Sequence, residues 1–348
     1  MQKILNKLTI ILPIFSRHEF SHRFLDYLVK IDYQNPIILA DGIDDMVSQS
    51  IIKKYKFLNI SSIAYRQKVD FIDYYQMILS AIKNVKTEYV MLADNDDFFI
   101  ESSLREIIIY LDKNSDYVSM GAEIIQFQID NYSDKTYGKN ISFNKRYDYC
   151  RTEEPFADLN GNIESIFKTF QPNFYNVFRA KAYLKIWEEI VHENFSDPTI
   201  MEFYIMLRVL SLGKQKTLLN CTHYIRQSGP GNSENYDFFN SLLKYNLPND
   251  FRKLINAVNH NNSQDLSVEI KEGYSDYVKN FLLPRLKARN KSIFQILYNS
   301  IVDIYPFTVL KFQIKELLIR KKFRNSDIHR NNEHLKEINR IKVFLKSI

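Results

Sequence analysis

Two kinds of apolar pattern alternate along the chain as far as Ile129. Short runs such as LTIILPIF (8–15), IILA (37–40), ISSIAYRQ (60–67), YVMLAD (89–94) and YVSMGAEIIQFQI (117–129) read as strands. Between them, RHEFSHRFLDYLVKI sets Phe20, Phe24, Leu28 and Ile31 at helical spacing. The stretches DDMVSQSIIKKYK, FIDYYQMILSAIKNV and SSLREIIIYLDKN continue the helical series, the last with Ser102 or Ser103 as its expected N-cap. This β-α-β-α order predicts an α/β protein with a mainly parallel sheet and helices on both faces.

The second half is less regular. Residues 131–161 are polar and turn-rich, which predicts a long loop or excursion. IESIFKTF, KAYLKIWEEIV and MEFYIMLRVLSL are expected helices, and KTLLNCTHYIRQ (216–227) is an expected strand. Gly, Pro, Ser and Asn concentrate in RQSGPGNSENY, so we place a boundary there. Residues 1–234 then form an α/β domain, and 235–348 a helical, basic C-terminal region.

Composition narrows the classes. Hydrophobic residues at 45% and charged residues at 25% describe a folded chain. With only 8 glycines there is no G-x-G-x-x-G and no G-x-x-x-x-G-K-[ST], which argues against dinucleotide and P-loop phosphate cradles. Cys150 and Cys221 lie far apart, so a reducing cytoplasm is the expected compartment and a structural zinc is not expected. MQKILNKLTIILPIF has no small-residue cleavage site after it and reads as a first strand, not a signal peptide.

The formal charge of +6 gathers toward the C-terminus, where Arg320, Lys321, Lys322 and Arg324 cluster. Two readings of that tail are open. One is a helix drawn to anionic lipid at the inner face of the membrane, and the other a helix packed on the α/β domain or a homodimer contact. The apolar stretch 292–312 is broken by Asp303, Pro306 and Lys311 and is not expected to span a bilayer.

The chemistry concentrates at strand ends. Asp41 follows IILA, and Asp94-Asn95-Asp96-Asp97 follows YVMLA. Open parallel sheets bind ligands beyond the carboxyl ends of their strands. Alternation along an extended segment lets Asp94 and Asp96 face one site across Asn95. Mg²⁺ and Mn²⁺ take oxygen ligands and commonly bridge carboxylates to a substrate phosphate. A solvated turn is the competing reading of the same tripeptide.

LTIILPIFSR, IILADGIDD and YVMLADNDDF stand in the order and spacing of the GT-A glycosyltransferases, and they resemble the bacterial family-2-type enzymes. The resemblance is good over about residues 8–99 and weaker from NFYNVFRA through MEFYIMLRVLSLGKQKTLLNCTHYIR. It implies a Rossmann-like nucleotide-diphospho-sugar transferase fold. Pro13, Phe15 and Arg17 would line the nucleotide, and Asp41 would hydrogen-bond base or ribose. Asp94 and Asn95 would belong to the donor site, Asp94 also on the metal side, and Asp96 would ligate the divalent cation directly. Asp97 would support that set from behind. The family's general-base Asp falls on Glu202, with Met201 replacing the preceding Glu, a departure that leaves the assignment dependent on geometry. His223 falls where some relatives place a third metal ligand. Tyr175 and Arg179 fall in the region facing donor sugar and phosphate, with Phe174 beside them, whereas Phe178 is expected in the core.

The activity this implies is transfer of a sugar from a nucleotide-diphosphate donor, a UDP-sugar favoured, to a hydroxyl of a surface-glycan or lipid-linked acceptor. With Glu202 as base the reaction would invert the anomeric carbon. A non-catalytic nucleotide-sugar binder is the alternative. A nucleic-acid binder would need a positive groove, yet acids occupy the expected ligand edge. A nucleotidyltransferase would show a glycine-rich loop after the first strand, and PIFSRHEF has none.

Overall fold

The computed structural model describes residues 2–14, 17–42, 45–65, 71–130, 135–145, 163, 166–167, 173–228, 247–282 and 332–346. Phe15, Cys150, the basic cluster 320–324 and the expected boundary at 229–236 lie outside them.

Strands β1 (Leu8–Ile14), β2 (Ile37–Asp41), β3 (Ile60–Ala64) and β4 (Tyr89–Leu92) alternate with helices α1 (His18–Lys30), α2 (Asp45–Lys54) and α3 (Phe71–Lys83), as the apolar pattern predicts. β2 and β4 flank β1, and β3 lies outside β2, all parallel. After β5 (Phe98–Phe99) and α4 (Glu101–Lys113) come β6 (Tyr117–Ile129), β7 (Ile141–Lys145), β8 (Val177–Arg179) and β9 (Lys214–Gln227). The sheet runs β3-β2-β1-β4-β8-β6-β9-β5, with β7 on β6. β8 runs antiparallel between β4 and β6, whereas β9 is parallel to β6. The mixed α/β architecture with a mostly parallel centre matches the expected class.

Helices cover both faces because strand side chains alternate between two cores. In β4, Tyr89 and Met91 enter one core, with Phe24, Ile51 and Ile107. Val90 and Leu92 enter the other, with Tyr75, Ile78, Trp187 and Phe203. That second core is closed by α5 (Ala180–Glu193), α6 (Pro198–Leu212), α7 (Leu247–His260) and α8 (Ser267–Tyr277). Asp197 caps α6, its carboxylate accepting from the Thr199 N–H at 2.8 Å, with Pro198 at the first helical position. Phe178 is fully buried and stacked on Tyr183, the core role expected for it.

Two expectations change. The excursion 131–161 contributes β7, whose Ile141 pairs with Ile129 and whose Phe143 packs near Phe127. Its two apolar residues were too few to stand out among polar neighbours. α4 starts at Glu101 with Ile100 as N-cap, so neither Ser102 nor Ser103 is the cap. The first amide groups of α4 are served from elsewhere in the chain. Helix α9 (Asn332–Leu345) brings Glu337 to them, and its carboxylate accepts from the N–H groups of Glu101 (2.8 Å) and Ser102 (3.1 Å). Ile341, Phe344 and Leu345 bury in the first core beside Tyr27 and Phe98. This part of the basic tail therefore packs on the α/β body. Among the described residues no helix is long and apolar enough to cross a membrane.

Candidate active site at the carboxyl ends of the strands

Beyond Leu92 the chain leaves β4 and turns through Asp94, Asn95, Asp96 and Asp97 before entering β5. Each of the three acids offers a carboxylate oxygen within 4.8 Å of the others. At an effective dielectric of 20, unit charges that close repel by about 3 kcal/mol. The fold must hold them together against that force, and it does so from three sides.

From the first core side, Tyr175 donates its phenol hydrogen bond to Asp94 Oδ2, while the Asp94 N–H donates to Tyr224 Oη at 2.8 Å. The two tyrosine rings stack at 4.4 Å and 13°, and the Arg226 guanidinium lies 5.0 Å from the Tyr175 ring centre. From β9, the Gln227 N–H donates to Asp97 Oδ1 at 2.8 Å, and Arg226 Nε stands 3.5 Å from Asp97 Oδ2. From α1, buried Arg23 donates to the Asp96 carbonyl at 2.6 Å, to Gln227 Oε1 at 2.6 Å and to the Thr136 carbonyl at 3.0 Å. Asn95 donates to Ser21 Oγ at 3.0 Å and to the Arg17 carbonyl at 3.3 Å, which locks the turn onto the start of α1. Arg17 itself ion-pairs with Asp96 Oδ2 at 2.7 Å.

Burial and the neighbouring Asp96 carboxylate push the Asp94 carboxyl above its ordinary range, against Arg226, Tyr175 and Arg17. Asp97 is pushed well above its range by the same two causes, with Asp94 adding to them. Burial lowers the Arg23 guanidinium to about 10. Asp97 Oδ2 is buried and makes no hydrogen bond among the described residues. Crowded carboxylate oxygens, raised carboxyl pKa values and one buried oxygen met only by the Arg226 ion pair fit a hard divalent cation.

The other expected residues fall on both sides of this picture. Pro13 lies near the carboxyl end of β1, opposite Ala40. Asp41 ends β2 at the same edge, buried, with one carboxylate oxygen taking the Ser48 hydroxyl and the Ser48 N–H at 3.2 Å. That contact ties it to α2. Glu202 is half-buried on α6. The Tyr74 phenol, raised chiefly by burial, feels both the Asp94 and Glu202 charges.

Two residues go elsewhere. Arg179 is opposite Tyr89, the first residue of β4, because β8 runs antiparallel. Five residue steps along extended chain separate that position from Asp94, about 16 Å. Its guanidinium donates to the carbonyls of Tyr117 (2.7 Å), Leu111 (2.6 Å) and Asn114 (3.0 Å), closing the C-terminal end of α4. His223 is fully buried, its Nδ1 accepting from the Ala122 N–H at 3.0 Å and its Nε2 donating to the Tyr175 carbonyl at 3.1 Å. Burial drives it down to about 4, and with both ring nitrogens on the backbone it offers no lone pair to a metal. Tyr175 reaches the acids, but its hydroxyl and ring are engaged by Asp94, Tyr224 and Arg226, so it orients the acids and is not an open sugar platform.

Sequence reasoning missed Tyr224, Arg226 and Arg23. The available signal was the period of two in CTHYIRQ, which separates Tyr224 and Arg226 from His223.

No protein-family model matches the chain, and no curated protein matches it by sequence. Among solved structures it is similar to S. aureus TarS 1–349 in complex with UDP-GlcNAc, with TM-score 0.52 and 12% identity over 83% of this chain and 77% of that one. It is also similar, at TM-score 0.44 and 11% identity over 90% and 86% of the chains, to the mannosyltransferase PcManGT from Pyrobaculum calidifontis in complex with GDP-Man and Mn²⁺. The second likeness is too distant to bear on the fold. Sheet order and the first likeness together define a GT-A-like fold.

Proposed function

We propose that the chain is a metal-dependent glycosyltransferase that uses a nucleotide-diphosphate sugar, with a UDP-sugar favoured. The observation that carries this reading is the convergence of Asp94, Asp96 and Asp97 within 4.8 Å at the carboxyl edge of the sheet. The fold neighbour solved with UDP-GlcNAc supports the choice of donor class.

Asp94, Asp96 and Asp97 would hold Mn²⁺ or Mg²⁺, which supplies positive charge to a departing nucleoside diphosphate. Tyr175 and Tyr224 orient Asp94, Arg23 fixes the main chain at Asp96, and Pro13 and Asp41 border the nucleotide side of the edge. Glu202, half-buried on α6, takes the proton of the attacking acceptor hydroxyl. Displacement assisted by a single base inverts the anomeric carbon. We assign the acceptor to surface-glycan or lipid-linked sugars, on the resemblance of the strand-end motifs alone, with the enzyme working in the cytoplasm. His223 and Arg179 are left out of this machinery.

A thermal-shift panel of UDP and GDP with and without Mn²⁺ tests the reading, repeated on Asp96→Ala. Metal-dependent stabilisation by one nucleotide, lost in the variant, is expected. Binding indifferent to both metal and substitution sinks it. Glu202→Gln should keep nucleotide binding and lose transfer, and surviving transfer removes Glu202 as the base.

A further inference from the structure

Two arginines of the first helical segment treat Asp96 differently. Arg23 is buried and grips its main-chain carbonyl, with its guanidinium 4.8 Å from the Phe20 ring and 5.0 Å from the Phe98 ring. Arg17 grips the carboxylate itself at 2.7 Å and keeps a side chain 40% exposed, against 17% for Asp96. Its backbone is left-handed, at φ 55° and ψ 55°, immediately before α1. The Asn95 side chain holds the Arg17 carbonyl, so the start of the arginine is anchored while its charged end faces solvent.

A guanidinium and a divalent cation compete for one carboxylate, because their like charges repel at contact distance. A freed guanidinium at this edge is suited to a diphosphate, whose paired oxygens match its planar fork. We propose that Arg17 is an exchangeable counter-ion, resting on Asp96 when the site lacks metal and moving to the donor diphosphate when metal and nucleotide bind. Arg17 thereby makes the two ligands cooperative, since whichever binds first releases the partner that the other needs. Arg23 does not exchange, because its donors are fixed on main-chain and amide oxygens in the protein interior. This inference rests on the donor and metal reading above.

The test is calorimetric titration of wild type and Arg17→Gln with Mn²⁺ alone, UDP alone, and UDP in saturating Mn²⁺, with Asp96→Ala as reference. Arg17→Gln is expected to bind Mn²⁺ alone up to about fivefold more tightly, the worth of one partly exposed ion pair. It should bind UDP in Mn²⁺ more weakly and show a smaller UDP–Mn²⁺ coupling than wild type. Loss of a nearby positive charge alone would tighten Mn²⁺ and leave the coupling intact, and that result overturns the exchange. Unchanged or weaker Mn²⁺ binding by Arg17→Gln also overturns it, while the metal reading survives if Asp96→Ala abolishes binding. If wild type, Arg17→Gln and Asp96→Ala are alike in not binding Mn²⁺, the metal reading fails and takes the exchange with it. Far-ultraviolet circular dichroism of each variant verifies the fold.

Discussion

The two ends of β4 both carry charged side chains, and they use them in opposite ways. At the amino end, Arg179 reaches three main-chain carbonyls, and Tyr89 donates to Asp112 at 2.8 Å, whose carboxylate also takes Lys7 at 3.1 Å. Positive and negative groups there meet partners supplied by the protein. At the carboxyl end three acids crowd one another, two of them pushed toward the protonated form, and a buried oxygen of Asp97 makes no hydrogen bond among the described residues, with Arg226 Nε 3.5 Å away. An arrangement whose polar needs are met internally stabilises a fold, whereas one held together against repulsion points to a ligand. Helix α4 repeats the first kind of arrangement at both ends, with a carboxylate at its N-terminus from Glu337 and a guanidinium at its C-terminus from Arg179, each matching the helix dipole.

The contrast is sharpest in a pair of substitutions. Asp96→Ala at the carboxyl end should cost about 10²- to 10³-fold in kcat/KM by losing charge stabilisation, with little change in melting temperature. Arg179→Met at the amino end should do the reverse. It leaves carbonyls without donors, costs about 1–3 kcal/mol in urea unfolding, and leaves UDP affinity unchanged in the folded protein. A loss of nucleotide affinity in Arg179→Met would break the division between the two edges.

Next in size is Glu337→Ala. Removing the carboxylate that serves the Glu101 and Ser102 amides should lower unfolding free energy by about 1 kcal/mol. If the tail were only a surface appendage, urea midpoints of wild type and variant would coincide.

The smallest effect is a pH dependence at the same contact. Burial, then the Glu337 charge, pushes the Glu101 carboxyl up to about 6 from its ordinary 4.5. A carboxyl raised by folding favours the folded state when protonated. Its contribution is therefore present below about 4.5 and lost as pH rises through about 6. Glu101→Gln should flatten the stability profile between pH 5 and 7 by about 1 kcal/mol, allowing for partial exposure, as read from urea midpoints across that range.

Particular residues show how much of this could be read from the chain. The acidic turn was legible because β4 is a short apolar run and Asp94, Asp96 and Asp97 follow it directly. Glu202 was legible only through its distance from Arg208 in MEFYIMLRVLSLGK, and what it faces depends on how α6 packs into the second core. Arg179 was misplaced because VFRA reads the same whichever way its strand runs, and the antiparallel β8 carries it to the far edge. His223 drew attention over Arg226 by its chemistry, although strand alternation separates the two residues. Glu337 lies 236 residues from the amide it caps, a separation no local pattern reports.

Local sequence thus determined the strands, the amphipathic helices and the acidic strand end, because each depends on side-chain periodicity and on near neighbours. Tertiary structure alone decided which charges meet. It brought Arg17, Tyr175, Tyr224 and Arg226 around the acids, sent Arg179 to the end of α4, and turned His223 onto the backbone. The physical reason is that strand direction, sheet order and register are set by long-range pairing, and electrostatic partners depend on distances of a few ångströms which that pairing alone creates.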